Sequence, residues 1–427
     1  MNSIAVLGCA WGDEAKAKIA DVLSESMDVV VRFQGGDNAG HTIFISGKKY
    51  VFHILPCGAL NPNTELVIAS SCVLNLDTLK KEILDIESGG LFIKERLKIY
   101  GTVTLITNFS VILDKARENF YKKSGNIGTT CKGIGPSYEQ RAARYAIRLI
   151  DLLDQETLRV KLEKLAREIN MSLKSYGVPA FTSEDLKAEF DKLVTHAEYF
   201  RDCIVDDDYI YNCSQSGKKI LYEGAQGALL DLYHGSYPYV TSHPSTYGAI
   251  LTSCGIGINT APKRVVGVVK SYFTRVGNGP FPTYIKEVDI HEKIREIGHE
   301  YGASTGRPRN CGWLDLVLLK RTIDMNGITE IALTCIDVLC KIGRVKICTK
   351  YNYATENIPP VLMEALDSVI PVYDEIDLSN CSVEGIKNWK DLPEAIKLYI
   401  SFIEDYLEVP VTMLSYGPDR NQILIKK

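Results

Sequence analysis

Apolar positions along the chain fall into two patterns. Short unbroken runs rich in β-branched residues recur at 4–7, 28–33, 50–55, 65–69, 220–222, 265–271 and 331–334. Runs of this length without alternation belong to strands buried on both faces of a parallel sheet. Between them, apolar residues return at helical spacing: Ile19, Val22 and Leu23; residues 76–86; and Leu158, Leu162, Leu165 and Ile169. Gly177-Val178-Pro179 interrupt that last series. Thr182 and Asp185 then have the spacing of a capping box before Leu186, Phe190 and Leu193. Alternating strand and helix predicts an α/β fold with a large, mainly parallel central sheet flanked by helices. Residues 151–202 are expected to be a helical excursion with structural work only, within one domain spanning 1–427.

Polar and glycine-rich segments follow the strands, where ligands bind in an open α/β sheet. After the first strand come Gly8 and then Trp11-Gly12-Asp13-Glu14-Ala15-Lys16-Ala17-Lys18. Strand, loop and helix N-terminus together favour phosphate, and Lys16 and Lys18 add cations. Neither G-x-x-x-x-G-K-[ST] nor G-x-G-x-x-G is present, so an ordinary charged βα turn is the plain alternative. A carboxylate at Asp13 makes sense beside phosphate if it holds Mg²⁺ or removes a proton.

The second strand runs into Gln34-Gly35-Gly36-Asp37-Asn38-Ala39-Gly40-His41-Thr42. His41 is either a satisfied core histidine or a site residue, and its polar neighbours favour the site. Residues 125–136 form a long Gly/Thr loop of the kind that folds over a ligand. Arg141, Arg144 and Arg148 have the spacing of one helix face, functional or merely solvated. Gly302 to Arg309 is a small-residue loop whose arginines suit carboxylate or phosphate. Asp337, just past a strand, either reads a guanine edge through N1–H and the exocyclic amine or caps a helix.

Composition narrows the classes. With 45% hydrophobic and 24% charged residues the chain reads as soluble and globular, and a net charge of −4 gives no case for nucleic acid or an anionic membrane. No signal-peptide pattern and no bilayer-length apolar run are visible. The 12 cysteines lack C-x-x-C or zinc spacing and are expected to be reduced thiols in a cytoplasmic protein.

The motifs W-G-D-E-x-K-x-K, Q-G-G-x-N-A-G-H-T, G-T-T-x-[RK]-G-I-G-P, E-G-A-Q-G, H-G-S-Y-P-Y-V-T-S, T-R-V-G-x-G-P-F-P-T and S-T-G-R-P-R-x-C-G-W-L-D occur in this order. From about Ile4 to Arg420 the chain resembles the adenylosuccinate synthetase family. Its fold is related to P-loop nucleotide-binding folds, and it joins IMP and L-aspartate in a GTP-dependent ligation. The resemblance implies Asp13 as the base for N1 of IMP, His41 as the acid at the transferring phosphoryl group and Gln226 beside the reacting base. It implies IMP contacts at Asp13, Asn38, Thr130, Arg144, Gln226, Thr241 and Arg307, with Arg144 serving the neighbouring subunit of a homodimer. Aspartate would meet Ser304, Thr305, Arg307 and Arg309. GTP would meet Gly12, Glu14, Ala15, Lys16, Ala17, Lys18, Gly40, His41, Thr42, Arg309, Cys335, Asp337, Ser415 and Gly417. Mg²⁺ would be held by Asp13 and the Gly40 carbonyl.

The chain departs from the family pattern at Ala10 for Gln, Ala15 and Ala17 for Gly, Cys131 for Gly, Lys132 for Arg, Cys335 for Lys, and His243-Pro244 for a Ser-Asn pair. An alanine costs about 1–2 kcal/mol where φ must be positive and is harmless within a helix. A non-catalytic nucleotide-binding relative, or a ligase acting on another purine monophosphate, is the alternative reading.

Overall fold

A computed structural model describes residues 3–122, 125, 127–302, 306–354 and 362–426. The central sheet has ten strands: β1 Ile4–Gly8, β2 Val29–Arg32, β3 Glu65–Ile68, β4 Leu97–Tyr100, β5 Ile204–Val205, β6 Ile220–Glu223, β7 Arg264–Lys270, β8 Glu330–Thr334, β9 Val411–Ser415 and β10 Ile423–Ile425. Their spatial order is β10-β9-β8-β7-β1-β6-β2-β3-β4-β5. Every neighbouring pair is parallel except β9 with β10 at one edge. The unbroken apolar runs are buried on both faces, as Val29, Val30 and Val31 show with 0% exposure each.

β1 sits centrally, with β6 and β2 on one side and β7 and β8 on the other. The segments leaving β1, β2, β6 and β8 at their carboxyl ends carry Asp13, His41, Gln226 and Asp337, where the topology of an open sheet makes a crevice.

The helix after β1, α1 Lys16–Ser24, buries Ile19, Ala20 and Leu23. The excursion forms as expected. Helices α3 Gln155–Ser175 and α4 Ser183–Phe200 bury Leu158, Leu162, Leu165, Ile169 and Leu193, and both halves of the Thr182–Asp185 capping box are made. A groove of about 910 Å³ between them, lined by Met171, Phe181 and Leu186 among others, contains no candidate site residue.

Two expectations need correction. Arg141, Arg144 and Arg148 do not share a helix face, because α2 Ile134–Ala142 ends before Arg144. Arg144 has φ 66° and occupies the left-handed position of a Schellman turn: its N–H donates to the Arg141 carbonyl at 3.0 Å, and Tyr145 N–H donates to the Gln140 carbonyl at 3.1 Å. Periodicity does not register this stop, because arginine occupies the place where glycine would have signalled it. The run at 50–55 contributes only Lys48–Phe52, paired in a hairpin with His41–Ile45 off the main sheet. An antiparallel pairing of Arg344–Tyr353 with Val369–Asp377 was not foreseen. The first strand buries Val345, Ile347, Cys348 and Tyr351, whereas the second is mostly exposed and carries little core pattern to read.

Candidate active site

The turn after β1 is held from within. Glu14, 1% exposed, accepts from the N–H groups of Ala10 at 3.0 Å and Gly12 at 2.9 Å and ion-pairs with Lys16. Thr334 at the end of β8 donates its hydroxyl to the Glu14 carbonyl at 3.0 Å. Gly227 packs under this turn, where a Cβ would lie 2.2 Å from the Ala10 carbonyl oxygen and 2.7 Å from Gly12 N, so the E-G-A-Q-G glycine is required by contact with backbone. Asp13 (φ 61°) and Ala15 (φ 65°) are left-handed, whereas Ala17 lies inside α1. Ala15 is the N-cap of α1 and makes no side-chain cap, which leaves the first-turn N–H groups to an anion.

Asp13 is the most exposed residue of the turn. Its Oδ2 lies 2.9 Å from Arg309 Nε, an ion pair whose N–H is not aligned as a hydrogen bond. Arg309 in turn donates to Glu300 at 2.7 Å, and Glu300 also accepts from Lys270 at 2.9 Å and from the Tyr272 hydroxyl. Burial acts to raise the Glu300 pKa, but the Lys270 and Arg309 cations hold it below the ordinary value.

His41 is nearly buried at the carboxyl end of β6. Its Nδ1 lies 2.6 Å from Glu223 Oε1, which also receives Arg32 Nη1 at 3.2 Å, while Cys57 N–H donates to Glu223 Oε2 at 2.7 Å. Burial opposes the Glu223 charge, but this ring of donors outweighs it and holds the carboxyl at about 2. Burial first, and then Arg32, lower the His41 pKa against the pull of Glu223. A carboxylate only accepts, so Nδ1 carries the hydrogen and Nε2 is left toward the site. His41, Cys57 and Glu223 bring potential metal-binding atoms together. The Arg32 guanidinium donates to Glu223 and lies 3.1 Å from His41 Nδ1 without accepting from it, filling that space with positive charge, and burial raises the Cys57 thiol well above its usual pKa.

Gln226 reaches Asn38 at 3.3 Å and His243 at 3.1 Å. Thr241 is anchored by its N–H to the Leu230 carbonyl at 2.9 Å. Arg307 donates to the Gly128 carbonyl at 3.1 Å and so links the 125–136 loop to the loop preceding Arg309. In the 125–136 loop, half-buried Thr130 precedes Cys131, whose φ is 54°. Ser304 and Thr305 lie outside the described residues.

Toward the other side of β1, Lys18 is committed to structure. Its ammonium donates to Ser415 Oγ at 2.8 Å and to the Gly417 and Gln422 carbonyls at 2.7 and 2.8 Å, and burial lowers its pKa to about 8. Asp337 lies in the first turn of α5 Ile336–Ile342, half-buried; burial raises its pKa against the pull of Lys341 and Lys18. Cys335, the N-cap of α5, has φ 60°. Gly40 and Thr42 flank His41, both half-buried. Arg144 is exposed, just past the end of α2.

Pattern reading missed Arg32, Glu223, Lys270 and Glu300. Three of them close otherwise apolar strands, in Val-Val-Val-Arg, Ile-Leu-Tyr-Glu and Val-Val-Lys, and a lone charge at that place was the available signal.

The adenylosuccinate synthetase family profile matches residues 5–424. The chain belongs to the adenylosuccinate synthetase family. It is 41% identical to adenylosuccinate synthetase of Thermodesulfovibrio yellowstonii over 434 aligned residues, covering 100% of this chain and 99% of the relative. The Xylella fastidiosa enzyme is 42% identical over 430 residues, with 99% and 98% covered. The structure of the fully ligated Plasmodium falciparum enzyme superposes with a TM-score of 0.93 at 37% identity over the full length of both chains. A succinoaminodeoxyadenylate synthetase of cyanophage S-2L shares the fold, with a TM-score of 0.61 at 20% identity. Among the described residues no helix is long and apolar enough to cross a membrane.

Proposed function

We propose that this adenylosuccinate synthetase family member joins IMP and L-aspartate with GTP, giving adenylosuccinate, GDP and phosphate, and that the residues brought together above carry the reaction. The supporting observation is the convergence of Asp13, His41 and Gln226 from three neighbouring strand ends, with His41 locked by buried Glu223. A mere nucleotide binder needs no such base and acid.

Asp13, exposed on a left-handed turn, takes the N1 proton of IMP. The resulting 6-oxyanion attacks the γ-phosphorus and GDP leaves, giving 6-phosphoryl-IMP. The aspartate amine then forms the bond to C6 and phosphate departs with the 6-oxygen. His41, its Nδ1–H held by Glu223, presents Nε2 to the phosphoryl group and, once that nitrogen takes a proton from solvent water, acts there as the acid. The uncapped first turn of α1 stabilises phosphate charge, and Lys16 adds to it once released from Glu14. Arg309, already paired with Asp13 and Glu300, is placed to pass between the aspartate carboxylate and GTP.

Asp13 and the Gly40 carbonyl offer hard oxygen donors that suit Mg²⁺. When bound, Mg²⁺ supplies charge neutralisation at the phosphate oxygens. The described cysteines are free thiols, in keeping with a cytoplasmic protein. The hydrophobic core runs from the sheet into the excursion helices, which supports a single domain over 1–427.

The test is purified protein with IMP, aspartate, GTP and Mg²⁺, scored for adenylosuccinate and phosphate. Asp13→Ala is expected to lose nearly all turnover with folding intact; substantial turnover by that variant would sink the mechanism.

A further inference from the structure

His243 is 1% exposed, its ring centroid 5.1 Å from that of Tyr138. Nδ1 lies 2.9 Å from the Pro244 carbonyl, and Nε2 lies 3.1 Å from Gln226 Oε1. The other end of the Gln226 carboxamide is 3.3 Å from Asn38 Oδ1, which also accepts from Gly36 N–H at 3.3 Å. The Pro244 carbonyl can only accept, so Nδ1 carries a hydrogen. Burial lowers the ring pKa to about 4, with Arg32 acting the same way and Asp231 opposing, so the ring is neutral at pH 7. A neutral ring with its hydrogen on Nδ1 has a lone pair at Nε2. That lone pair faces the Gln226 oxygen, a repulsive contact relieved when the carboxamide turns over. Its NH₂ then donates to His243 and its oxygen faces Asn38. If Asn38 turns with it, the bonds from Asn38 to Pro244 run in one direction, at the loss of one long bond from Gly36.

We propose that His243 is a positioning residue that fixes the direction of the Gln226 carboxamide, and through it the single arrangement of donor and acceptor offered to the 6-oxopurine. The specificity half rests on the placement of Gln226 at the IMP base. An untethered amide samples both directions, and a 6-oxo group that must be activated meets the wrong end in one of them.

Two measurements test this. In ¹⁵N-histidine spectra of the whole protein at pH 7, the resonance lost in His243→Gln should report hydrogen on Nδ1 and an accepting Nε2; hydrogen on Nε2, or an imidazolium, overturns the proposal. In kinetics, glutamine can place an acceptor where Nε2 was, whereas asparagine reaches only the Nδ1 position. His243→Gln should hold kcat/KM for IMP within about threefold of the parent, and His243→Asn should lose about tenfold or more, the loss of one hydrogen bond to the amide. The KM for GTP should stay within about twofold in both, since the change is confined to the base site. Retention by Asn with loss by Gln overturns the proposal. Gln226→Met separates the two readings: unchanged kcat/KM for IMP removes Gln226 from the base and refutes the specificity half, whereas a shifted His243 Nε2 resonance in that variant confirms the contact itself.

Discussion

Ala15 and Ala17 stand two residues apart where the family pattern has glycine, and the structure gives them opposite signs. Ala15 has φ 65°, a torsion that costs an L-residue about 1–2 kcal/mol. Glycine removes that strain but loses about 0.5–1 kcal/mol more chain entropy on folding. Ala15→Gly should therefore stabilise by about 0.5–1 kcal/mol. Ala17 is helical and 3% exposed. Ala17→Gly forfeits about 1 kcal/mol of helix propensity and about 0.8 kcal/mol for the buried methyl. The two variants should thus differ by about 2–3 kcal/mol, read as urea midpoints at unchanged slope. In a chain of this length the same difference moves Tm by only a few degrees. Ala15 already holds the torsion that glycine would take, so the KM for GTP should change less than about twofold in Ala15→Gly. Destabilisation by Ala15→Gly, or stabilisation by Ala17→Gly, would refute the torsional assignment.

Three further outcomes follow from the same geometry. If exposed Arg144 serves the neighbouring subunit, inactive Arg144→Leu mixed with inactive Asp13→Ala should regain part of the activity through hybrid dimers; no recovery after verified subunit exchange counts against a shared site. Asp337→Asn should weaken GTP and improve XTP, since the amide can donate to a 2-oxo group; an unchanged GTP-to-XTP ratio would remove Asp337 from base reading. The folded His243 has a depressed pKa, so the unfolded chain binds its proton first as pH falls. The stability it supports is complete above about 6.5 and is lost toward pH 4, by about 3 kcal/mol at most. Over that window the parent should accordingly lose stability relative to His243→Gln, and parallel curves would mean that the ring is not buried neutral.

Periodicity and motif order carried the chain far. The unbroken apolar runs could only be satisfied by burial on both faces, so the parallel sheet and its helices were legible, as was the capping box that starts α4. Asp13 and His41 stood out because glycine-rich polar segments follow strands, and Gln226 only through the motif order; the structure sets all three beyond the ends of neighbouring strands. Such patterns are local, and local chemistry does not report which strand ends become neighbours. The spatial order β1-β6-β2 brought Glu223, distant in sequence, against His41 and placed the hydrogen on its Nδ1. Packing occupied the three donors of Lys18 with Ser415 and two carbonyls and turned the Glu14 carboxylate onto Ala10, Gly12 and Lys16, contacts that motif order does not announce. Torsions were likewise a tertiary outcome. Ala15, Cys131, Arg144 and Cys335 all adopt positive φ without glycine to announce it. The surrounding contacts fix the chain path there, and the residues bear the strain.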